Sequence, residues 1–144
     1  MLFRSVGDFV LKSGRSSRWF IDSKQTACRP DGILAIADAA LEIIPPDADA
    51  IGGLTMGADP VAFGIAAVAA TRGRALRSFS IRKEAKDHGV TGRLAGALME
   101  GDRVVITEDT VTRGTALMEA AGVDRKSTRL NSSHSSVSRM PSSA

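Results

Sequence analysis

The sequence predicts an α/β domain, a doubly wound parallel sheet with helices on both faces, and three observations carry that expectation. Ile33, Ile36, Ala37, Ala40, Leu41 and Ile44 recur at steps of three and four residues, giving one apolar helix face that stops at Pro45 and Pro46. Two short apolar runs, residues 50–54 and the Val104-Val105-Ile106 centre of residues 103–107, have the composition of strands buried on both faces. From residue 50 onward the order is strand, helix, strand, long polar loop, strand, helix, as in layered α/β proteins. Ligands of such sheets bind beyond the carboxyl ends of the strands, so the site is expected there.

The remaining elements follow from local signals. Residues 1–23 read as a separate N-terminal element, a helix over 2–11 followed by a strand over 18–21. Asp59 and Pro60 supply an N-cap and a first-turn proline for the Ala-rich helix that runs to Thr71, before a turn at Arg72 and Gly73. Residues 76–81 are the next strand candidate. Gly101 and Asp102 turn the chain into the strand at 103–107, and residues 112–121 read as the closing helix. No internal repeat is visible.

Composition bounds what such a domain can do. The 144 residues suit one domain, and 43% hydrophobic with 24% charged residues is enough to bury a core. The most apolar stretch, residues 61–70, is too short to cross a bilayer, and the N-terminus lacks a charged leader with an apolar run, so a cytoplasmic protein without a membrane partner is expected. A single cysteine, Cys28, and two distant histidines, His88 and His134, exclude an intramolecular disulfide and a cysteine-based zinc site. After Val123 the pattern collapses: residues 126–144 hold eight Ser in nineteen residues and are expected to be disordered. Back-translated, Asp124-Arg125-Lys126-Ser127 can read GATCGGAAGAGC, which resembles a sequencing-library adapter. The natural chain is therefore expected to continue differently, with residues 1–123 a partial domain and 124–144 a non-native tail. The formal charge of +3 belongs to that tail, since residues 1–123 carry fifteen basic and fifteen acidic side chains. No nucleic-acid partner is expected.

The most informative stretch is Val104-Val105-Ile106-Thr107-Glu108-Asp109-Thr110-Val111-Thr112-Arg113-Gly114-Thr115-Ala116. A hydrophobic strand runs into two carboxylates, which suit paired sugar hydroxyls or a hydrated Mg²⁺. The Thr/Gly loop that follows opens a helix, where unpaired backbone N–H groups can take a phosphate. The loop has neither the Gly-x-x-x-x-Gly-Lys pattern of nucleotide triphosphatases nor Gly-x-Gly-x-x-Gly, which leaves a sugar-phosphate site. The stretch resembles the phosphoribosyl pyrophosphate (PRPP) signature of type I phosphoribosyltransferases. By that resemblance Glu108 and Asp109 hold the ribose hydroxyls, and Thr110, Val111, Thr112, Arg113, Gly114 and Thr115 hold the 5′-phosphate. Arg113 departs from the family, which usually has Thr, Ala or Ser there.

Two further segments narrow the resemblance. Arg82-Lys83-Glu84-Ala85-Lys86-Asp87-His88-Gly89 follows a strand candidate. A charge run of this kind is most often a solvated face, but cations on a loop near a polyanion can stabilise a departing pyrophosphate. The run resembles the catalytic loop of orotate phosphoribosyltransferases, which implies that Arg82, Lys83, Lys86 and His88 contact pyrophosphate, some of them across a homodimer interface. Phe9-Val10-Leu11-Lys12-Ser13-Gly14-Arg15-Ser16-Ser17-Arg18-Trp19-Phe20-Ile21-Asp22 is similar to the segment that forms part of a hood over the base in the same family. That similarity implies that Lys12 contacts orotate or pyrophosphate and that Phe20 and the Ile21 backbone contact the flat pyrimidine, and the resemblance as a whole adds Thr112 of the PRPP signature to the orotate contacts, while Trp19 reads equally well as core packing. Residues 52–60 correspond to the family's pyrophosphate loop but lack the Lys that some members carry there.

The resemblance spans residues 3–121 with its motifs in order, and it implies an enzyme. The reaction is Mg²⁺-dependent transfer of the ribose 5-phosphate of PRPP to orotate, giving orotidine 5′-monophosphate and pyrophosphate in pyrimidine biosynthesis. Lys83, Lys86, His88 and Asp109 are the implied catalytic residues, and Mg²⁺ is held mainly by PRPP, through water to Glu108 or Asp109. The Arg that pairs with the orotate carboxylate in the family has no counterpart here. A purine or uracil phosphoribosyltransferase would share the acid pair and lack the basic run. A nucleotide-sensing, RNA-binding regulator of the same fold would need a basic surface on its folded part.

Overall fold

The computed structural model describes residues 4–11, 14–86, 92–111 and 113–128. The chain opens with an antiparallel hairpin, β1 (Arg4–Val10) and β2 (Ser16–Ile21). A strand thus stands where a helix over 2–11 is expected. Val6, Phe9 and Val10 lie at helical spacing, but the register shifts between Val6 and Phe9, and such an irregularity breaks the strict alternation by which a strand is read. The turn closes with the Leu11 amide donating to the Arg15 carbonyl at 2.9 Å, and Gly14 supplies the left-handed backbone (φ +79°). Phe9 and Phe20 pack with ring centroids 5.8 Å apart, while Trp19 stays half exposed.

One helical turn, α1 (Lys24–Ala27), leads into α2 (Pro30–Ile43), whose first residue is a proline free of the need to donate. Pro45 and Pro46 end the helix as expected, and the Arg74 guanidinium reaches back to the carbonyls of Ile44 and Pro45. The central strand is β3 (Ala50–Leu54), buried along its whole length. Next come α3 (Asp59–Thr71), β4 (Arg77–Lys86), β5 (Gly92–Gly96), β6 (Val104–Ile106) and α4 (Thr115–Thr128). The sheet order is β5-β4-β3-β6; β3 runs parallel to both β4 and β6, and β5 runs antiparallel to β4.

The expected parallel sheet is therefore mixed. Its polar loop after residue 81 is in part a hairpin arm: β4 carries Arg82–Lys86 outward and pairs Lys86 with Gly92. Charged residues on an edge hairpin are common because they discourage further pairing, so a charge run does not exclude a strand. The closing helix starts at Thr115 and runs to Thr128, where residues 112–121 are expected. Residues 129–144 lie outside the described residues.

Apolar side chains divide between the two faces of the sheet, as double winding requires. On one face Ile51 and Val105 pack against α2 and α3 through Ala37, Val61, Ala62 and Ile65. On the other, Leu54, Phe79 and Ile81 pack with Ala120 of α4, flanked by Leu94, Val104 and Ile106. Polar ties fix the periphery. Arg77 donates to Asp102 at 2.6 Å, and the other oxygen of that buried carboxylate accepts the Met99 amide at 2.7 Å. Arg93 pairs with Glu119, fastening α4 to the β4–β5 hairpin.

The strands approach closely at Gly53, where a Cβ would sit 2.1 Å from the Thr107 carbonyl oxygen and 2.7 Å from the Ala58 Cβ. Neither neighbour is a flexible side-chain tip, so β3 and the exit of β6 would have to part. Gly53→Ala is expected to destabilise the chain by about 1–3 kcal/mol. Gly122→Ala, in α4 with open space around it, should be neutral or stabilise by roughly 0.5–1 kcal/mol. Denaturant midpoints for the two variants check both signs.

Candidate active site

The carboxyl ends of β3 and β6 converge on one point. The Thr107 amide donates to the Gly52 carbonyl at 2.8 Å, which carries the pairing of β6 with β3 one residue further and delivers Glu108 and Asp109 beside the β3–α3 loop. In that loop the Thr55–Met56 peptide is cis and the Thr55 amide donates to the Ile81 carbonyl at 2.9 Å. A Cβ on Gly57 would meet Glu108 Oε1 at 2.5 Å and Asp109 Oδ1 at 2.7 Å. A glycine leaves room for both acids without their carboxylates having to move aside.

Asp59 does not cap its helix. It is the first residue of α3, after Ala58, and its carboxylate accepts the Thr55 hydroxyl at 2.6 Å and the Ser80 hydroxyl. The expected N-cap is thus a tie between the β3–α3 loop and β4, because hydroxyls from two other elements occupy both oxygens.

The two neighbouring carboxylates have opposite environments. Asp109 Oδ2 accepts the Ser23 hydroxyl at 2.7 Å and the Lys24 ammonium at 2.9 Å, and its side chain is 10% exposed. Burial acts to raise its pKa, but the donors Ser23 and Lys24 prevail and hold the carboxyl down to about 2. The same hydrogen bond raises the Lys24 ammonium above its ordinary value, against its own desolvation. Glu108 is pushed up, first by burial and then by its hydrogen bond and proximity to Asp109. The Asp109 amide donates to Glu108 Oε1 at 3.3 Å. One permanent carboxylate thus sits beside a weaker acid, an arrangement that suits accepting hydrogen bonds from two adjacent hydroxyls.

The structure brings together only part of the expected site. Glu108 and Asp109 stand at the strand end, followed by exposed Thr110 and Val111. Arg113 and Thr115 are exposed, and Gly114 takes a left-handed conformation (φ +71°) just before α4. Phe20 and Ile21 lie on the hairpin, partly exposed and well before the acids in sequence. Arg82 donates to the Gly92 carbonyl at 3.2 Å, and Lys83 is exposed on the same hairpin. Among the described residues no hydrogen bond or ion pair joins Arg82 or Lys83 to the acid pair. Lys12, His88 and Thr112 lie outside the described residues, as does the side chain of Lys86.

Sequence reasoning missed Ser23 and Lys24. They lie 86 and 85 residues from Asp109, so no local spacing signals the contact. The one available hint is that Lys24 follows the aromatic segment ending at Asp22. Among the described residues no cluster of three or more His, Cys, Asp or Glu could hold a metal, and no helix is long and apolar enough to cross a membrane.

No family model matches the chain. It is 45% identical over 120 residues to an orotate phosphoribosyltransferase of Nostoc sp., covering 83% of this chain and 57% of that one. The crystal structure of Mycobacterium tuberculosis orotate phosphoribosyltransferase in complex with Fe(III) dicitrate superposes with a TM-score of 0.73 at 31% identity, covering 87% of this chain and 70% of that one. The same mycobacterial protein in complex with PRPP gives a TM-score of 0.63 at 28% identity, over 74% and 59% of the two chains. The chain spans between about half and two thirds of the length of the curated relatives it matches.

The acid pair makes a prediction about pH. Because the folded pKa of Asp109 is depressed, its contribution is fully present above the ordinary carboxylate value of 3.8 and is lost as pH falls towards about 2. The loss should amount to roughly 2 kcal/mol. Glu108 has the opposite sign: its raised pKa costs stability above its ordinary value of 4.5, and that cost disappears on acidification. Urea unfolding between pH 2 and 6 should show a shallower acid limb in Asp109→Asn and a steeper one in Glu108→Gln.

Proposed function

The chain belongs to the orotate phosphoribosyltransferase family, and on that premise we propose that it binds PRPP and orotate and carries the PRPP-binding part of the transferase. The observation that carries this reading is the Glu108–Asp109 pair, gathered over Gly57 at the carboxyl ends of β3 and β6. A ribose diol can donate to both carboxylates. Its 5′-phosphate then falls to the loop from Thr110 to Thr115 and the amino end of α4, where backbone amides and the helix dipole favour an anion. The relatives' names favour orotate over a purine or uracil as the acceptor.

In the proposed reaction N1 of orotate forms a bond to the anomeric carbon as the bond from that carbon to pyrophosphate breaks, and the N1 proton leaves. No covalent intermediate with the protein is required. Holding the two partners in line and neutralising the departing pyrophosphate supply the rate. Arg82, Lys83, Lys86 and His88 are assigned to that neutralisation. Lys12, Phe20, Ile21 and Thr112 are assigned to the base, with Asp109 beside the ribose as positive charge develops. The donor set fits Mg²⁺ poorly as an all-protein cage but well as an outer-sphere partner, since hard carboxylate oxygens of Glu108 and Asp109 can hold a hydrated ion. When bound with PRPP that ion would offset charge on the pyrophosphate. A homodimer and a cytoplasmic location belong to the same reading, the first resting on family likeness and the second on composition, while the boundary that composition suggests at Val123 falls inside α4, which runs on to Thr128.

The test is PRPP-dependent loss of orotate absorbance with Mg²⁺. It is run on this chain and on a version in which residues 124–144 are replaced by the corresponding C-terminal part of the Nostoc relative. Turnover in either supports the reading, and none in both overturns it. In the active version Lys83→Ala should lower kcat roughly a hundredfold while changing PRPP affinity little, because its contact strengthens as charge builds on the leaving group. Asp109→Asn should weaken PRPP binding, and unchanged activity and affinity in that variant would remove its role.

A further inference from the structure

We propose that Ser23 and Lys24 are positioning residues: their hydrogen bonds to one oxygen of Asp109 fix the diol-holding carboxylate and set the aromatic hairpin at a defined span from it. The proposal rests on the functional reading given above. Its basis is topological as well as local. Among the described residues, every hydrogen bond from residues 4–24 to a residue beyond Cys28 ends on Asp109 Oδ2, at 2.7 Å from Ser23 and 2.9 Å from Lys24. The strands β1 and β2 otherwise pair chiefly with each other. The hairpin that offers Phe9 and Phe20 is therefore polar-linked to the rest of the domain at one carboxylate, and that carboxylate is half of the candidate diol site.

The link is built to hold one geometry. Asp22 accepts the Lys24 amide at 3.2 Å, and the Ser23 carbonyl accepts the amides of Thr26 and Ala27, so α1 begins where the two side chains must face Asp109. Both donors occupy Oδ2. Oδ1, which faces Gly57 beside Glu108 Oε1, takes only a long 3.4 Å bond from the exposed Thr110 hydroxyl, so it is the oxygen that a ligand hydroxyl can take over. A lysine at this point also cancels one negative charge where an anionic sugar phosphate must approach. Ligand hydroxyls and the flat base would thus be read by groups held in register by these two contacts together with the packing of α1 against α2 and α3.

The experiment compares ribose 5-phosphate with 2-deoxyribose 5-phosphate by isothermal titration calorimetry on the full chain. It also follows the emission anisotropy of Trp19, the sole tryptophan, which sits on β2. The wild-type chain should prefer the ribose ligand. Lys24→Met should lose about tenfold in affinity for it and most of the preference, and Lys24→Arg should restore both. Ser23→Ala should give a smaller loss of the same kind. In ligand-free protein Lys24→Met should release Trp19 into faster local motion. A Lys24→Met chain with wild-type preference and anisotropy overturns the proposal, as does a loss shared equally by both ligands, which a merely structural role would produce. If the wild-type chain binds neither ligand while the turnover assay above succeeds, this inference fails and the functional reading stands; if turnover is absent in both versions as well, both fail.

Discussion

The architecture depends on how closely β3 and the exit of β6 can approach. At Gly53 the Thr107 carbonyl occupies the space of a side chain, and at Gly57 the two carboxylates do the same. The first needs a residue without a Cβ because its neighbour is backbone, the second leaves the carboxylates undisturbed, and together they place the end of one strand's chemistry in the loop of another. The central strand contributes no reactive group. It contributes absence of bulk, buried at every residue and flanked by parallel neighbours whose carboxyl ends point the same way. The functional surface at that end is then a consequence of parallel pairing, since parallel strands bring several loop starts to one edge.

Given that approach, electrostatics divides the labour between adjacent acids. Ser23 and Lys24 donate to Asp109, and burial falls more heavily on the balance at Glu108. Two carboxylates placed this close would repel each other if both were fully ionised and unpaired. A buried charge is tolerated only when it is paired and hydrogen-bonded, and Lys24 is the group that meets this need for Asp109. Asp59 makes a neighbouring contribution by a different route, gathering two hydroxyls so that the loop carrying Gly57 is tied to β4.

Much of this was legible in the sequence wherever one element decided the outcome. The α2 face from Ile33 to Ile44, the Asp59–Thr71 helix, the β3 run and the acid pair after β6 are all local patterns, and all stand where expected. Reading failed where a pairing partner intervened. The irregular register between Val6 and Phe9 gave a strand the spacing of a helix, and the charged run after Ile81 concealed an arm whose Lys86 pairs with Gly92, six positions later. The ties to Asp109 were invisible for a related reason, since both donors are more than eighty residues away in the chain. Local periodicity records what an element does with its own face. It carries little about which distant side chain completes a carboxylate.

On the proposed reading, the same division explains how the domain could present acids to an anionic ligand. Residues 1–123 carry equal numbers of basic and acidic side chains, so a binding field has to come from placement and not from net charge. The β3–α3 loop, from Thr55 to Ala58, holds no cation of its own. Lys24 instead stands against Asp109, Arg113 lies in the loop before α4, and Arg82 and Lys83 ride the β4–β5 hairpin, which Arg93 fastens to α4 through Glu119. These cations come from three separate elements, each anchored to the sheet differently. On the proposed reading, the fixed one at Asp109 offsets the acids in the free protein, and those on the hairpin meet the charge that develops only when pyrophosphate departs. A cation fixed beside the acid pair would bind ground state and transition state alike, so selective stabilisation of the leaving group has to come from the hairpin.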